Sequence, residues 1–224
     1  MFLDRTPDAP GSARLLADIG GTHARFAWQA RTGVPPTDER TLPCGEYATL
    51  LDALQAYLHD TGHVAPPACS IAIATAVLGD RVAMTNHHWA FSIRGLKASM
   101  GFERLLVIND FTALALALPH LGTDERRPVG GDAPRAGSAI GLIGPGTGLG
   151  VSGLLPDGRG GWLPLQGEGG HATLAPTTAR ERDVLALLAE RHGHVSAERA
   201  VSGRGLEEIH EALQRLDAPG REPY

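Results

Sequence analysis

The sequence predicts an α/β protein built from two related lobes, and three observations carry this prediction. A run of large aliphatic residues, from Leu105 to Ile108, leads directly into Asn109 and Asp110, as expected of a buried strand that ends at a polar site. Apolar residues at helical spacing lie between this strand and others like it. Both halves of the chain open with a strand, a glycine turn that contains a threonine, and a second strand, which indicates an internal repeat.

Composition and charge disfavour several classes of partner. The chain has 224 residues, 42% of them hydrophobic, and a net charge of −5 without a basic stripe, so neither nucleic acid nor an anionic membrane is an expected partner. The first residues lack the layout of a signal peptide, and no apolar run approaches the roughly 20 residues of a membrane helix. We therefore expect a cytoplasmic protein whose two cysteines, Cys44 and Cys69, are reduced and buried. The single lysine, Lys97, does not lie in a Gly-Lys-[Ser/Thr] sequence, so a P-loop is excluded.

The expected elements of the first half follow from apolar spacing and from glycine and proline punctuation. After a ragged tail, they are a strand at 14–18, a glycine turn at 19–22, a strand at about 24–29, a proline-rich loop, a helix ended by Gly62, strands at 68–74 and 81–84, a helix between Ser92 and Gly101, the strand at 105–108, and a helix that stops at Pro119. The leucines and the tyrosine between residues 50 and 58 recur at helical spacing and are assigned to the core.

Asp110 stands at the predicted start of a helix, beyond the carboxyl end of a strand, which is where open α/β sheets bind their ligands. A plain helix N-cap is the alternative interpretation of this residue. Gly20 and Gly21 would let the backbone approach an anion closely, although an ordinary hairpin explains them equally well. The adjacent His87 and His88 have no third ligand at useful spacing, so a metal site is not predicted there.

The composition changes after Pro119 to a segment rich in glycine, proline and charge, and we place the domain boundary there. The expected elements of the second half are strands at 139–143, 151–155 and 162–165, helices at 178–191 and about 205–216, and an unstructured tail. A glycine turn, Gly144–Gly150, joins the first two strands. Leu149 occupies the place of the last glycine of a Gly-x-Gly-x-x-Gly motif and no helix follows, so a Rossmann nucleotide site is disfavoured.

A glycine-rich loop after the third of these strands exposes Glu168 and His171, an arrangement typical of loops that bind hydroxyl groups. The two residues are not a helical zinc pair, because Gly169 and Gly170 would break the helix.

Five segments, taken in their order and spacing, resemble the bacterial ATP-dependent glucokinase family from about residue 14 to residue 210. They are Ala17-Asp18-Ile19-Gly20-Gly21-Thr22, Ile108-Asn109-Asp110-Phe111-Thr112-Ala113, Gly144–Gly150, Gly167-Glu168-Gly169-Gly170-His171 and Gly193–Arg199. The resemblance implies the two-lobed actin/hexokinase-like (ribonuclease H-like) α/β fold. The expected lobes are a small lobe at 14–119 and, at 120–224, the first part of a large lobe that is incomplete here, because family members continue well past this chain's end.

The resemblance also implies the site. Asp110 would be the general base for the 6-hydroxyl of D-glucose, and the other hydroxyls would be held by Asn109, Glu168, His171 and Glu198. The phosphates of ATP would be held by Ala17, Asp18, Ile19, Gly20, Gly21 and Thr22 in the first half and by Gly146, Thr147 and Gly148 in the second. Asp18 would lie near Mg²⁺, and no residue is assigned as a direct metal ligand. The implied partners are D-glucose and ATP, and a homodimer is compatible with the resemblance.

The chain departs from the family pattern in three places. His23 stands where asparagine is common, and Thr75-Ala76 stands where a proline is usual; neither change removes a base or a phosphate turn. The third departure is the missing end, for which we expect aggregation of the isolated chain, weak glucose binding and low ATP affinity. The expected function is the transfer of the ATP γ-phosphate to glucose, and the alternative is a non-catalytic sugar-binding remnant. The cysteine-rich zinc motif of the related repressor and open-reading-frame sugar kinases is missing, which argues against that sister family.

Overall fold

The computed structural model describes residues 11–131 and 135–217. The chain divides into two compact units, Met1–Ala113 and Leu114–Tyr224. The lobe ranges expected from the sequence, 14–119 and 120–224, stay a prediction. The expected ragged tails lie outside the described residues at 1–10 and 218–224.

The first unit is organised around a five-stranded sheet with the order β3-β2-β1-β4-β7. Its strands are β1 (Arg14–Ile19), β2 (His23–Gln29), β3 (Thr37–Pro43), β4 (Ala68–Ile73) and β7 (Arg104–Asn109), and a separate two-stranded ribbon consists of β5 (Arg81–Ala83) and β6 (Ala90–Ser92). β1, β4 and β7 run parallel, whereas β2 and β3 are antiparallel to their neighbours. The carboxyl ends of the three parallel strands therefore lie at one edge of the sheet, as the sequence predicted for the strand that leads into Asn109.

Three helices belong to the segments between and after these strands: α1 (Leu50–Thr61), α2 (Ile93–Met100) and α3 (Asp110–Ala117). Thr49 caps α1 in a capping box with Asp52, and Gly62 ends it with a left-handed φ of 70°. α2 lies between a Ser92 cap and Gly101, so both predicted helix ends are confirmed. A buried cluster combines α1 and α2 with one face of the sheet, to which β1 contributes Leu15, Ala17 and Ile19.

β3 corrects the sequence-based prediction, which assigned this stretch to a proline-rich loop. Six of its seven residues are exposed, so it has no apolar alternation that a sequence pattern could reveal. The strand exists because β2 offers it a row of backbone partners at the edge of the sheet. β6 and a second short element, α5, were also not predicted, since elements of three and four residues carry little periodic signal.

The second unit contains a three-stranded antiparallel sheet with the order β10-β9-β8. Its elements are β8 (Ile140–Pro145), β9 (Leu149–Pro156), β10 (Trp162–Leu165), α4 (Ala179–His192), α5 (Ala197–Ala200) and α6 (Gly203–Asp217). The predicted meander of three strands is thus confirmed, and so is the helix that Thr178 caps. α4 and α6 pack together around a small apolar cluster that includes Val184 and Leu188.

One face of this small sheet remains exposed to solvent. The exposed fractions are 68% for Ile143, 43% for Leu163 and 47% for Leu165. Register places the three side chains on the same face as Leu155. The apolar side chains on this face are therefore only partly covered within the described residues. Within that part of the chain, no helix is both long and apolar enough to span a membrane.

Candidate active site

Asn109 and Asp110 lie where the parallel sheet of the first unit ends. Asn109 is the last residue of β7, and Asp110 is the first residue of α3. The predicted transition from a buried strand into a helix is confirmed at these two positions. The sheet edge beyond the carboxyl ends of parallel strands is the usual place of ligands in this class of sheet.

The helix N-cap is provided by Asn109 and not by Asp110. The Oδ1 atom of Asn109 accepts a hydrogen bond from the backbone N–H of Thr112 at 3.2 Å, which is the bond of an N-cap residue. Its Nδ2 atom donates to Oδ1 of Asp110 at 2.9 Å. The same Oδ1 accepts from the N–H of Phe111 at 2.8 Å, while Oδ2 of Asp110 has no hydrogen-bond partner among the described residues. The alternative interpretation of Asp110 as a plain cap is therefore not supported, and one carboxylate oxygen is available for a ligand.

The surroundings of Asp110 raise the pKa of its carboxyl group. Burial raises the pKa of Asp110 above its usual value, and the nearby negative charge of Asp18 raises it further, against the opposing hydrogen bonds from Phe111 and Asn109. A carboxylate with a raised pKa is a better proton acceptor than an ordinary aspartate, which is the property required of a general base. The same environment implies that ionised Asp110 lowers the stability of the fold.

We expect Asp110→Asn to raise the melting temperature at pH 7. A carboxyl group whose pKa is higher in the folded state stabilises the fold below its unfolded pKa, about 3.9, and this contribution is lost as the pH rises through the folded pKa. The amide removes that loss, so the difference between variant and wild type should shrink as the pH is lowered from 7 towards 4. Thermal denaturation at several pH values measures this difference in melting temperature. Asp183→Asn, a substitution at an exposed aspartate, is the control. A variant that melts below the wild type at pH 7 would contradict the assignment.

The first glycine turn is built by the end of β1 and the start of β2. The N–H of Gly20 donates to the carbonyl of His23 at 2.9 Å, and the carbonyl of Thr22 accepts from the N–H of Cys44 at 2.8 Å. Gly21 lies close to Asn86, since a Cβ atom at Gly21 would be 3.3 Å from the Cβ of Asn86. The turn is therefore held from both sides.

The predicted residues before this turn differ in what they can offer a ligand. Ala17 and Ile19 point into the core, with exposed fractions of 7% and 0%, so only their backbone could contact a phosphate. Asp18 points to the other face, and its Oδ2 atom lies 2.9 Å from Nη1 of Arg25. The charge of Asp18 is close enough to raise the pKa of Asp110. Asp18 also forms an ion pair with Arg25, a residue that the sequence-based prediction did not include.

The second glycine turn lies in the second unit and is held by its own hydrogen bonds. The N–H of Gly146 donates to the carbonyl of Gly148 at 2.8 Å. The carbonyl of Gly146 accepts from the N–H of Gly203, at the start of α6, at 2.9 Å. These bonds leave the N–H groups of Thr147 and Gly148 without an acceptor among the described residues. Such a pair of amides can bind an anion.

Glu198 lies on α5 beside this turn. Its Oε2 atom accepts from the N–H of Leu149 at 2.9 Å, and a Cβ atom at Gly148 would overlap the Glu198 carboxylate. Gly170 packs so closely that a Cβ atom there would overlap the Leu149 carbonyl. Both backbone groups of Leu149 therefore meet segments that carry predicted hydroxyl-binding residues.

Glu168 and His171 flank Gly170 on a short 3-10 turn, Gly169–His171. Nε2 of His171 lies 4.0 Å from Oε2 of Glu168, and both side chains are more than half exposed. The second unit thus gathers Glu168, His171 and Glu198 around the start of β9. The sequence analysis missed Leu149 and Gly203, because both residues make their contacts through the backbone. For Gly203 a signal was present in the sequence, since a serine at 202 before a helical pattern indicates a helix N-cap.

The two small departures from the family pattern also act through backbone groups. The carbonyl of Thr75 accepts from Nδ2 of Asn109 at 3.4 Å, and the carbonyl of His23 accepts from Gly20 as described above. Any residue supplies a carbonyl, so neither departure removes these contacts.

The described residues contain no group of three or more His, Cys, Asp or Glu side chains that could hold a metal ion by themselves. Mg²⁺ in phosphate-transfer sites commonly uses one or two carboxylates, with waters and substrate phosphates as the remaining ligands. Asp18, which is half exposed, fits the requirement for one such carboxylate.

Comparison with known proteins identifies the family to which the chain is similar. The family model described as Glucokinase matches residues 15–223. The glucokinase of Aromatoleum aromaticum is 56% identical over 204 residues, which cover 91% of this chain and 61% of that protein. The crystal structure of a glucokinase from an Antarctic psychrotroph superposes with a TM-score of 0.84 at 31% identity, covering 95% of this chain and 67% of that one. A hexokinase from Schistosoma mansoni has a TM-score of 0.56 at 15% identity, covering 100% of this chain and 59% of that one, and shows the shared fold alone.

The fold is therefore part of the α/β fold shared by glucokinase and hexokinase structures, and the fold class predicted from the sequence is confirmed. Within that class, the chain belongs to the glucokinase family. It spans 61% of the length of the Aromatoleum relative, so it covers only part of that fold.

Proposed function

We propose that this protein is an ATP-dependent glucokinase that transfers the γ-phosphate of ATP to the 6-hydroxyl of D-glucose. The observation that carries the proposal is the state of Asp110, a half-buried carboxylate with a raised pKa and one free oxygen at the carboxyl edge of a parallel sheet. Membership of the glucokinase family supports the same reaction.

Asp110 acts in this proposal on the sugar hydroxyl. Its free oxygen accepts the proton of the 6-hydroxyl while the hydroxyl oxygen attacks the γ-phosphorus, the bond to the β,γ-bridging oxygen breaks and ADP leaves. Asn109 holds the other carboxylate oxygen and fixes the orientation of the carboxylate. Phosphoryl transfer passes through a loose transition state, so catalysis depends mainly on alignment and on neutralising charge. Mg²⁺, when bound with ATP, would supply positive charge to the phosphate oxygens.

The remaining predicted residues bind and orient the two substrates. Glu168, His171 and Glu198 would accept or donate hydrogen bonds to sugar hydroxyls, and Asn109 would add an amide to this set. The free N–H groups of the turn Gly146-Thr147-Gly148, together with the turn Gly20-Gly21-Thr22, would bind phosphate oxygens. Asp18 would face the metal. The reaction would take place in the cytoplasm, and the assembly, monomer or homodimer, can be measured by sedimentation.

A glucose 6-phosphate assay coupled to a dehydrogenase tests the proposal directly on the purified chain. Turnover that depends on both ATP and glucose supports the enzyme. The second candidate is sugar binding without activity, in which Glu168, His171 and Glu198 would hold the sugar and no phosphate would be transferred. That candidate predicts glucose binding by calorimetry with no product formed, so the two measurements separate them.

The sugar site should discriminate between hexoses. A site built to bond each hydroxyl rejects analogues that lack or misplace one, because its own polar groups are then left unpaired. We therefore expect kcat/KM for 2-deoxyglucose and for galactose to be at least about tenfold below that for glucose, on the scale of one lost hydrogen bond. Equal values for all three sugars would show that Glu168, His171 and Glu198 do not line the site.

A further inference from the structure

The start of α6 is joined to the second glycine turn. Ser202, which is 5% exposed, accepts from the N–H of Gly205 at 3.0 Å and so caps the helix. The N–H of Gly203, one of the helix's first four unpaired donors, is satisfied by the carbonyl of Gly146 at 2.9 Å. The position of the turn therefore depends on the position of the first turn of α6.

A buried carboxylate one turn further along fixes that part of the helix. Glu208 is 5% exposed, and its Oε1 atom accepts from Nε of Arg204 at 2.9 Å. Its Oε2 atom lies 2.6 Å from Nε2 of His192, the last residue of α4, and Nη1 of Arg191 is 3.9 Å from Oε1. Burial raises the pKa of Glu208, but the bonds from His192 and Arg204 outweigh this effect and leave the pKa below its usual value. Glu208 thus ties the end of α4 to the beginning of α6.

The glycine turn and Glu208 also line one small cavity. Its volume is about 40 Å³, and its wall includes Thr147, Glu198, Ser202, Arg204 and Glu208. A space of this size holds about one water molecule, so it is a packing interface and not a binding site. A displacement of Arg204 or Glu208 would therefore change the packing around Thr147 in the turn.

We propose that Glu208 is a positioning residue for the glycine turn: it holds the first turn of α6, whose Gly203 N–H holds the Gly146 carbonyl and so orients the free N–H groups of Thr147 and Gly148. The expected rise in the KM for ATP rests on the proposed function, whereas the positioning of the turn by Glu208 does not. A role confined to holding α4 against α6 is the alternative.

The first test compares Glu208→Gln with Glu207→Gln. Glutamine keeps the size of residue 208 but removes its negative charge, so its contacts with Arg204 and His192 are no longer charge-assisted. Glu207 is the exposed neighbour on the same helix. We expect Glu208→Gln to raise the KM for ATP about tenfold, the scale of one charge-assisted hydrogen bond, with kcat and the KM for glucose changed far less. Glu207→Gln should leave all three constants unchanged.

The second test is independent of activity and compares Gly203→Pro with Gly203→Ala. Proline suits the first position of a helix but lacks the N–H and places a methylene against the Gly146 carbonyl. Alanine keeps the N–H, and its Cβ would lie 3.5 Å from the Gly146 oxygen, an ordinary contact. Amide hydrogen exchange at Gly146 and Leu149, both hydrogen-bonded in the wild type, should accelerate in Gly203→Pro and in Glu208→Gln but not in Gly203→Ala or Glu207→Gln.

The outcomes separate this inference from the proposed function. If neither the wild type nor the variants show turnover, faster exchange at Gly146 and Leu149 in Glu208→Gln supports the positioning role and contradicts the proposed glucokinase activity. Unchanged exchange in Glu208→Gln, whether or not its melting temperature falls, overturns the inference. A fall in kcat together with equal rises in the KM values for ATP and for glucose would likewise contradict it.

Discussion

Asp110→Asn should lower kcat by about 10²–10⁴, the usual cost of removing a general base. The amide has the same shape and can still accept the bonds from Phe111 and Asn109 through its oxygen. It cannot accept a proton from the sugar hydroxyl at neutral pH. Glucose affinity, measured by calorimetry, should change little, because the substitution keeps the size of the side chain and its place at the start of α3.

The same variant separates catalysis from stability. Since Asp110→Asn is expected to melt above the wild type at pH 7, a loss of activity cannot be ascribed to unfolding. Asp183→Asn, on the exposed side of α4, is the control and should retain full turnover. Turnover of Asp110→Asn within about threefold of the wild type would refute the assignment of Asp110 as the base, since it falls far outside the range above.

Gly148→Ala should lower kcat/KM by about 10², the loss that a displacement of roughly 1 Å can cause in a site. The new Cβ atom would overlap the carboxylate of Glu198, which must then move away from the N–H of Leu149. The substitution thus disturbs the proposed phosphate turn and the proposed sugar-binding residue Glu198 at once. We expect the KM values for ATP and for glucose to rise together in a coupled assay.

Gly146→Ala is the matched control for this variant. It lies two residues away in the same turn, and a Cβ atom there would have no other atom within 4 Å. Neither glycine has a positive φ, so alanine is not strained by the backbone at either position. A Gly146→Ala variant as impaired as Gly148→Ala would show that the turn tolerates no side chain, and that the contact with Glu198 is not the cause.

Local signals account for the parts of the fold that the sequence predicted well. Thr49, Ser92 and Thr178 each cap a helix through bonds to residues three positions away, so the helix starts could be read from neighbouring residues. Gly62 and Gly101 mark helix ends for the same reason. The strand at Trp162–Leu165 is bounded by glycines and was placed at its observed residues.

The parts that were missed depend on partners distant in the sequence. β3 has no apolar alternation of its own and forms only along β2. The bond from Leu149 to Glu198 joins residues 49 positions apart, and nothing in either residue type announces it. The predicted site residues came from five short motifs in order, which indicate which residues are used but not the bonds between them. The cap at Asn109 is an intermediate case, since the sequence analysis considered only Asp110 as a possible cap there.

The position of Leu149 limits what a survey of side-chain replacements can reveal. Its side chain is 8% exposed, so Leu149→Ala would report lost packing, whereas its link to Glu198 runs through the peptide N–H that every residue except proline retains. Exhaustive substitution at this codon would therefore mark the position as a core leucine and conceal its link to the sugar-binding residues. Replacing the amide between Gly148 and Leu149 by an ester through chemical synthesis deletes that single donor and leaves the leucine in place. Such backbone editing is the appropriate probe for a site assembled largely from main-chain atoms.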